Sequence, residues 1–137
     1  MKLNWPAVRL CTLGCLVGLS SCDPYGGYEY WIDNRSDSTV HIIYKPYNET
    51  VRKISVGNQS IKLIQKYETI NGLYDYGDDF LRFYDSLGIF IDTLATTEIQ
   101  KDYHQRQSWT YKEEPAGMFR RQGDNIYRLE INNDDLK

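Results

Sequence analysis

The sequence predicts an all-β fold, a single antiparallel β-sandwich (Ig-like) or small barrel, behind a short N-terminal segment that is removed from the mature chain. Three observations predict it. Seven or so short segments rich in Tyr, Ile, Val and Trp recur at ~8–12-residue spacing, separated by clusters of Gly, Asn, Asp and Ser. No segment longer than about three helical turns carries apolar residues at helical period. Tyrosine is in excess, 12 against three Trp and four Phe, and aromatic side chains pack well on a pleated surface.

The elements follow in order. Lys2 and Arg9 precede an apolar run from Leu10 to Leu19, about half of the ~20 residues that a membrane-spanning helix needs, so the segment reads as a signal. Ser20 and Ser21 place small side chains next to a cleavage site between Ser21 and Cys22. Residues 1–21 are therefore the signal peptide, 22–27 a tether containing Pro24 and the Gly26-Gly27 pair, and 28–137 one folded domain.

Strands over 28–33 and 39–44 flank Asn34-Arg35-Ser36-Asp37-Ser38, which is turn chemistry, and are expected to form a hairpin with Val40, Ile42 and Tyr44 on one face. A second hairpin is expected from 50–56 and 60–67 around Gly57-Asn58-Gln59, with Ile61 and Leu63 opposite Lys62 and Ile64. Residues 68–79 lack periodicity and read as a loop. Strands near 80–84 and 89–93 then flank a turn at Asp85-Ser86-Leu87-Gly88. A short strand follows at 109–112, and 125–131 closes the chain with Tyr127, Leu129 and Ile131 facing opposite to Ile126, Arg128 and Glu130.

Composition narrows the function. Cys11, Cys15 and Cys22 all lie in or at the signal, so the mature domain has no disulfide, thiol nucleophile or Cys-based metal site. The net charge is −3, and loss of Lys2 and Arg9 makes it more negative, which disfavours nucleic acid as a partner. His41 and His104 are the only imidazoles, without zinc-ligand spacing around either, and no Gly-X-Ser-X-Gly elbow is present. No catalytic residue, metal or cofactor is expected.

The candidate binding loop is Tyr74, Asp75, Tyr76, Asp78 and Asp79, where aromatic faces and carboxylates crowd together; Tyr67, Tyr103, Trp109 and Tyr111 extend the aromatic set. These rings either receive a protein or glycan ligand or fill the core of a β domain. Two alternatives use the same loop: a small envelope hydrolase working through its carboxylates, or a calcium-dependent glycan binder, although the alternating ligands and distal Glu of an EF-hand are missing.

Leu19-Ser20-Ser21-Cys22 resembles a bacterial lipobox, an aliphatic residue three places before Cys with small residues between. Together with the Asn34-to-Ser38 turn, Ile54-Ser55-Val56-Gly57-Asn58-Gln59-Ser60-Ile61 and the closing Tyr127-to-Leu136 segment, it makes the chain similar to small lipoproteins of Bacteroidota. The resemblance implies acyl chains on Cys22, anchorage in the Gram-negative cell envelope at the outer membrane, and no particular activity. It also implies O-glycosylation in Asp-Ser/Thr-apolar or Asp-Ser-Thr triplets, at Ser38, Ser86 and Thr93. Three acyl chains would hold the protein firmly, each buried methylene contributing ~0.8 kcal/mol.

Overall fold

The computed structural model describes residues 25–69, 74–115 and 122–137. Ser21, Cys22 and the signal segment lie outside them. The fold is all-β, with seven strands: β1 (Tyr25–Asn34), β2 (Val40–Pro46), β3 (Arg52–Val56), β4 (Ser60–Thr69), β5 (Tyr84–Phe90), β6 (Trp109–Glu114) and β7 (Gln122–Ile131). They form a four-stranded sheet, β4-β1-β7-β6, and a three-stranded sheet, β3-β2-β5, consistent with a sandwich and without closure into a barrel.

Period-2 alternation builds the core. Tyr28, Tyr30 and Ile32 of β1, Val40, Ile42 and Tyr44 of β2, and Tyr127, Leu129 and Ile131 of β7 are buried, while the residues between them turn outward. The tyrosines explain themselves once their hydroxyls are followed. Tyr44 Oη donates to the Ile64 carbonyl at 2.8 Å, tying one sheet to the other, and Tyr67 Oη donates to the Phe83 carbonyl at 2.7 Å. Tyr30 Oη donates to the Phe80 carbonyl, and Tyr28 Oη to the Tyr74 carbonyl at 3.2 Å. Each ring fills volume as Phe would, and each hydroxyl donates to a backbone carbonyl.

Several elements differ from expectation. The segments 28–33 and 39–44 do not pair: the chain leaves β1 in one sheet and enters β2 in the other. Asn34, fully buried at this corner, donates Nδ2 to the carbonyls of Ser38 (2.7 Å), Val56 (3.1 Å) and Gly57 (3.0 Å), and its Oδ1 accepts from Ser36 N and Oγ. The turn residues thus build a crossing. The second expected hairpin crosses in the same way, since β3 and β4 lie in different sheets.

The tether is shorter than 22–27, because Tyr25 already belongs to β1. Gly26 and Gly27 pair with Thr69 and Glu68 of β4 on one side and with Gly123 and Asp124 of β7 on the other. A glycine pair that looked flexible is clamped between two strands. The β1–β7 pair is parallel, so the larger sheet is mixed while every other strand pair is antiparallel.

In β4 the register slips between Tyr30↔Gln65 and Trp31↔Leu63, leaving Ile64 as the extra residue of a bulge. Ile64 is therefore inside, and Ile61 and Leu63 are outside. Residues 80–83 form turns rather than a strand, and Asp85-Ser86-Leu87-Gly88 continues β5, paired along β2. Gly88 lies beneath the Phe90 ring: an added Cβ would come within 2.6 Å of it, so glycine here admits an aromatic cover instead of making a turn.

Candidate functional site

The loop 74–79 brings its residues together only in part. Tyr74 and Tyr76 meet edge to face at 4.5 Å between ring centroids, and the Arg82 guanidinium lies 4.7 Å over the Tyr76 ring. Asp75 turns the other way. Arg106 Nε reaches its two oxygens at 2.9 and 3.0 Å, Tyr127 Oη donates at 3.0 Å, and the Gly77 N–H donates at 3.0 Å. The Arg106 guanidinium, with those further donors, holds the Asp75 carboxyl below its ordinary pKa. Burial and the neighbouring carboxylate push the Tyr127 phenol far up, so it stays a neutral donor. Asp75 is thereby committed to fastening the loop to the core.

Asp78 and Asp79 are exposed on a short 3-10 turn, and Asp79 faces Arg82 at 3.6 Å. Among the described residues no three His, Cys, Asp or Glu side chains gather to hold a metal ion. His41 Nδ1 and Ser55 Oγ stand 2.9 Å apart across β2 and β3, on the open outer face of the smaller sheet. Ser38, Ser86 and Thr93 are all exposed; Ser38 lies in the β1–β2 crossing and Thr93 in a turn after β5, whereas Ser86, expected in a turn, is in β5 paired with Lys45. Tyr103 and Trp109 are core residues, the indole Nε1 donating to the Tyr103 carbonyl at 2.7 Å.

A second surface has better geometry. The outward residues of β1 are Glu29, Trp31 and Asp33, and their register neighbours are Lys66, Leu63 and Ile61 on β4 and Ile126, Arg128 and Glu130 on β7. Thr110 and Lys112 of β6 follow beside Arg128 and Ile126. A groove of about 530 Å³ opens here, lined by Glu29, Trp31, Ile61, Thr110, Lys112, Glu114, Ile126 and Arg128.

Its centre is apolar and its margin is charged. Trp31 donates Nε1 to Glu29 at 3.0 Å, which fixes the indole along the strand, and Ile61 beside it remains 48% exposed. Around them Lys66 bridges Glu29 (2.7 Å) and Asp124 (3.1 Å), Arg128 meets Asp33 at 2.6 Å, Arg35 joins Asp33 and Glu130 at 3.0 Å each, and Lys112 meets Glu114 at 2.8 Å. Hydrogen bonding to Glu29 raises the Lys66 amine's pKa. The solvent-facing pairs Arg35–Glu130 and Lys112–Glu114 contribute ~0–1 kcal/mol each to stability, whereas Asp33 and Asp124 are buried carboxylates held by their cations. The consequence is a margin of mutually neutralised charge around an aliphatic and aromatic strip.

The sequence signal for this face lies in β1, where Glu29, Trp31 and Asp33 alternate with Tyr28, Tyr30 and Ile32: the tryptophan is in phase with the acids, hence outward. None of the protein-family models, curated proteins or solved structures compared with the chain matches it. The site therefore rests on its own geometry.

Proposed function

We propose that this protein is a non-catalytic binding module of the Gram-negative cell envelope, anchored to the outer membrane by acyl chains on Cys22, and that it docks a protein partner on the outer face of its four-stranded sheet. The observation that carries the docking face is the strip of Trp31, Ile61, Leu63 and Ile126, with Ile61 and Leu63 exposed, inside a ring of paired charges. Protein interfaces are organised this way, with an apolar centre, a polar margin, and tryptophan and arginine as frequent anchors. Aliphatic side chains favour a protein over a sugar, since they offer no ring for stacking. The fixed indole of Trp31 supports a second reading, a glycan stacked on it. The commitment of Asp75 to Arg106 and Tyr127 counts against a hydrolase built on loop carboxylates. Lipid anchorage would concentrate the domain against partners at the same membrane. Ser38, Ser86 and Thr93 remain the proposed sites of O-glycosylation.

A photo-crosslinking residue at position 61 in the native envelope tests the reading, with position 55 on the opposite sheet as control. A discrete crosslinked band at 61 and none at 55, abolished by Trp31→Ala or Leu63→Glu, is expected. Equal labelling at both positions removes the docking face.

A further inference from the structure

The strands place the chain's entry point at one end of the sandwich, and that end has an unusual surface. Asn34 bonds Val56 and Gly57, and Arg35 N donates to the Ile131 carbonyl at 2.8 Å, so β1, β3 and β7 all finish at the far end. Tyr25 starts β1 at the near end, where β2 and β4 finish and β5 begins. Three of the most exposed large apolar side chains are there: Tyr47 (62%), Val51 (57%) and Tyr74 (45%).

Tyr47 and Tyr74 are joined through a run of rings, and Val51 precedes β3 at the same end. Tyr47 N donates to the Phe83 carbonyl at 2.8 Å, Phe83 stacks on Tyr67 at 4.6 Å and meets Tyr76 at 5.8 Å, and Tyr76 holds Tyr74. Three acids at this end are paired: Asp85 with Lys45 at 2.6 Å, Glu49 with Arg52, and Asp79 with Arg82 at 3.6 Å.

We propose that this end is a membrane-seating surface, on which Tyr47, Val51 and Tyr74 enter the headgroup region of a zwitterionic phospholipid leaflet. The inference rests on the acylation of Cys22 proposed above. Only Asp23 and Pro24 separate Cys22 from Tyr25, so even fully extended chain keeps the two Cα atoms within about 11 Å. An anchor this short holds the near end against the bilayer. Tyrosine suits that depth, with its ring among the acyl carbonyls and its hydroxyl in water. The paired acids lower the repulsion that the protein's negative charge would otherwise bring, and a net charge of −3 favours a zwitterionic over an anionic surface.

Nitroxide labels on the acylated protein test it, because the processed chain carries no cysteine besides Cys22. Val51→Cys and Leu94→Cys are labelled, intact mass confirms the acyl chains, and the proteins are reconstituted in phosphatidylcholine vesicles. Seating is expected to give residue 51 oxygen-rich, nickel-excluding power saturation, and to leave residue 94 water-like. Tyr47→Ser with Tyr74→Ser in the Val51→Cys background is expected to reduce the protection at 51 with the circular dichroism unchanged. Water-like labels at both positions on an acylated protein overturn the seating and leave the anchor standing. An unacylated Cys22 overturns the anchor, and the seating falls with it.

Discussion

Tyr84 and Tyr30 are both buried phenols, and their hydroxyls have opposite fates. Tyr30 Oη donates to the Phe80 carbonyl, whereas Tyr84 Oη is the buried side-chain atom without a hydrogen-bond partner among the described residues. Burial raises the pKa of both phenols far above the ordinary value, so each is neutral at any physiological pH. Tyr30→Phe orphans a carbonyl and is expected to destabilise the fold by ~1–2 kcal/mol; Tyr84→Phe removes an unsatisfied donor and is expected to be neutral or stabilising by up to ~1 kcal/mol. Urea denaturation of the two variants reads the difference directly. Asp75 carries the corresponding pH prediction. Its folded pKa is depressed, chiefly by Arg106, so the stability it contributes is full above about pH 4 and is lost as the pH falls through the folded value. Asp75→Asn should flatten the acid limb of a melting-temperature profile and cost ~1–3 kcal/mol near neutrality, because the largely buried Arg106 loses its partner.

The crossing from β1 to β2 is held by one side chain. Asn34, itself fully buried, satisfies three carbonyls from the two crossing segments and accepts two bonds from Ser36. Asn34→Ala is expected to cost ~2–4 kcal/mol, since several buried backbone groups lose partners at once. Asn34→Asp should be at least as harmful, because it turns a carboxylate oxygen toward those carbonyls; thermal unfolding of both variants checks the order. The same residue shows what the sequence could convey. Strand positions and inward faces were legible wherever alternation was uninterrupted, as in β2 and in the Tyr127, Leu129, Ile131 series of β7. Turn residues announce that the chain reverses and do not say whether it returns to the same sheet, so two crossings read as hairpins. The bulge at Ile64 sets Ile61 and Leu63 on the face opposite to Gln65 and Tyr67 of the same strand, and with it hid half of the groove, because a bulge leaves the alternating pattern on each side intact. The loop 74–79 was visible as composition, but the bond from Asp75 to Arg106 joins residues far apart in sequence, which spacing alone does not reveal.

The first and last strands lie side by side in parallel over ten register pairs at the centre of the larger sheet, from Tyr25↔Gln122 to Asn34↔Ile131. A central position for both ends of the domain has two consequences. Residues 25–27 are structural, so a chain beginning at Tyr28 loses hydrogen bonds to β4 and β7 together and is expected to be at least ~2 kcal/mol less stable than one beginning at Asp23. The second concerns cooperativity. Without β7, β1 retains only β4, β6 has no partner strand, and the inner faces of Tyr28, Tyr30 and Ile32 lose Tyr127, Leu129 and Ile131. No smaller sandwich is left that buries its own core. A chain ending at residue 121 is therefore expected to show no cooperative urea transition, while the full chain unfolds in one. Because the closing pair joins residues almost a whole domain apart, refolding of the full chain should take milliseconds to seconds, the range of folds dominated by non-local pairing. Stopped-flow tryptophan fluorescence follows it, with Trp109 in the core and Trp31 on the sheet that β7 completes. A full chain that refolds in microseconds, or a truncated one that keeps a sharp transition, would mean that the β1–β7 pair is not the step that makes the sandwich.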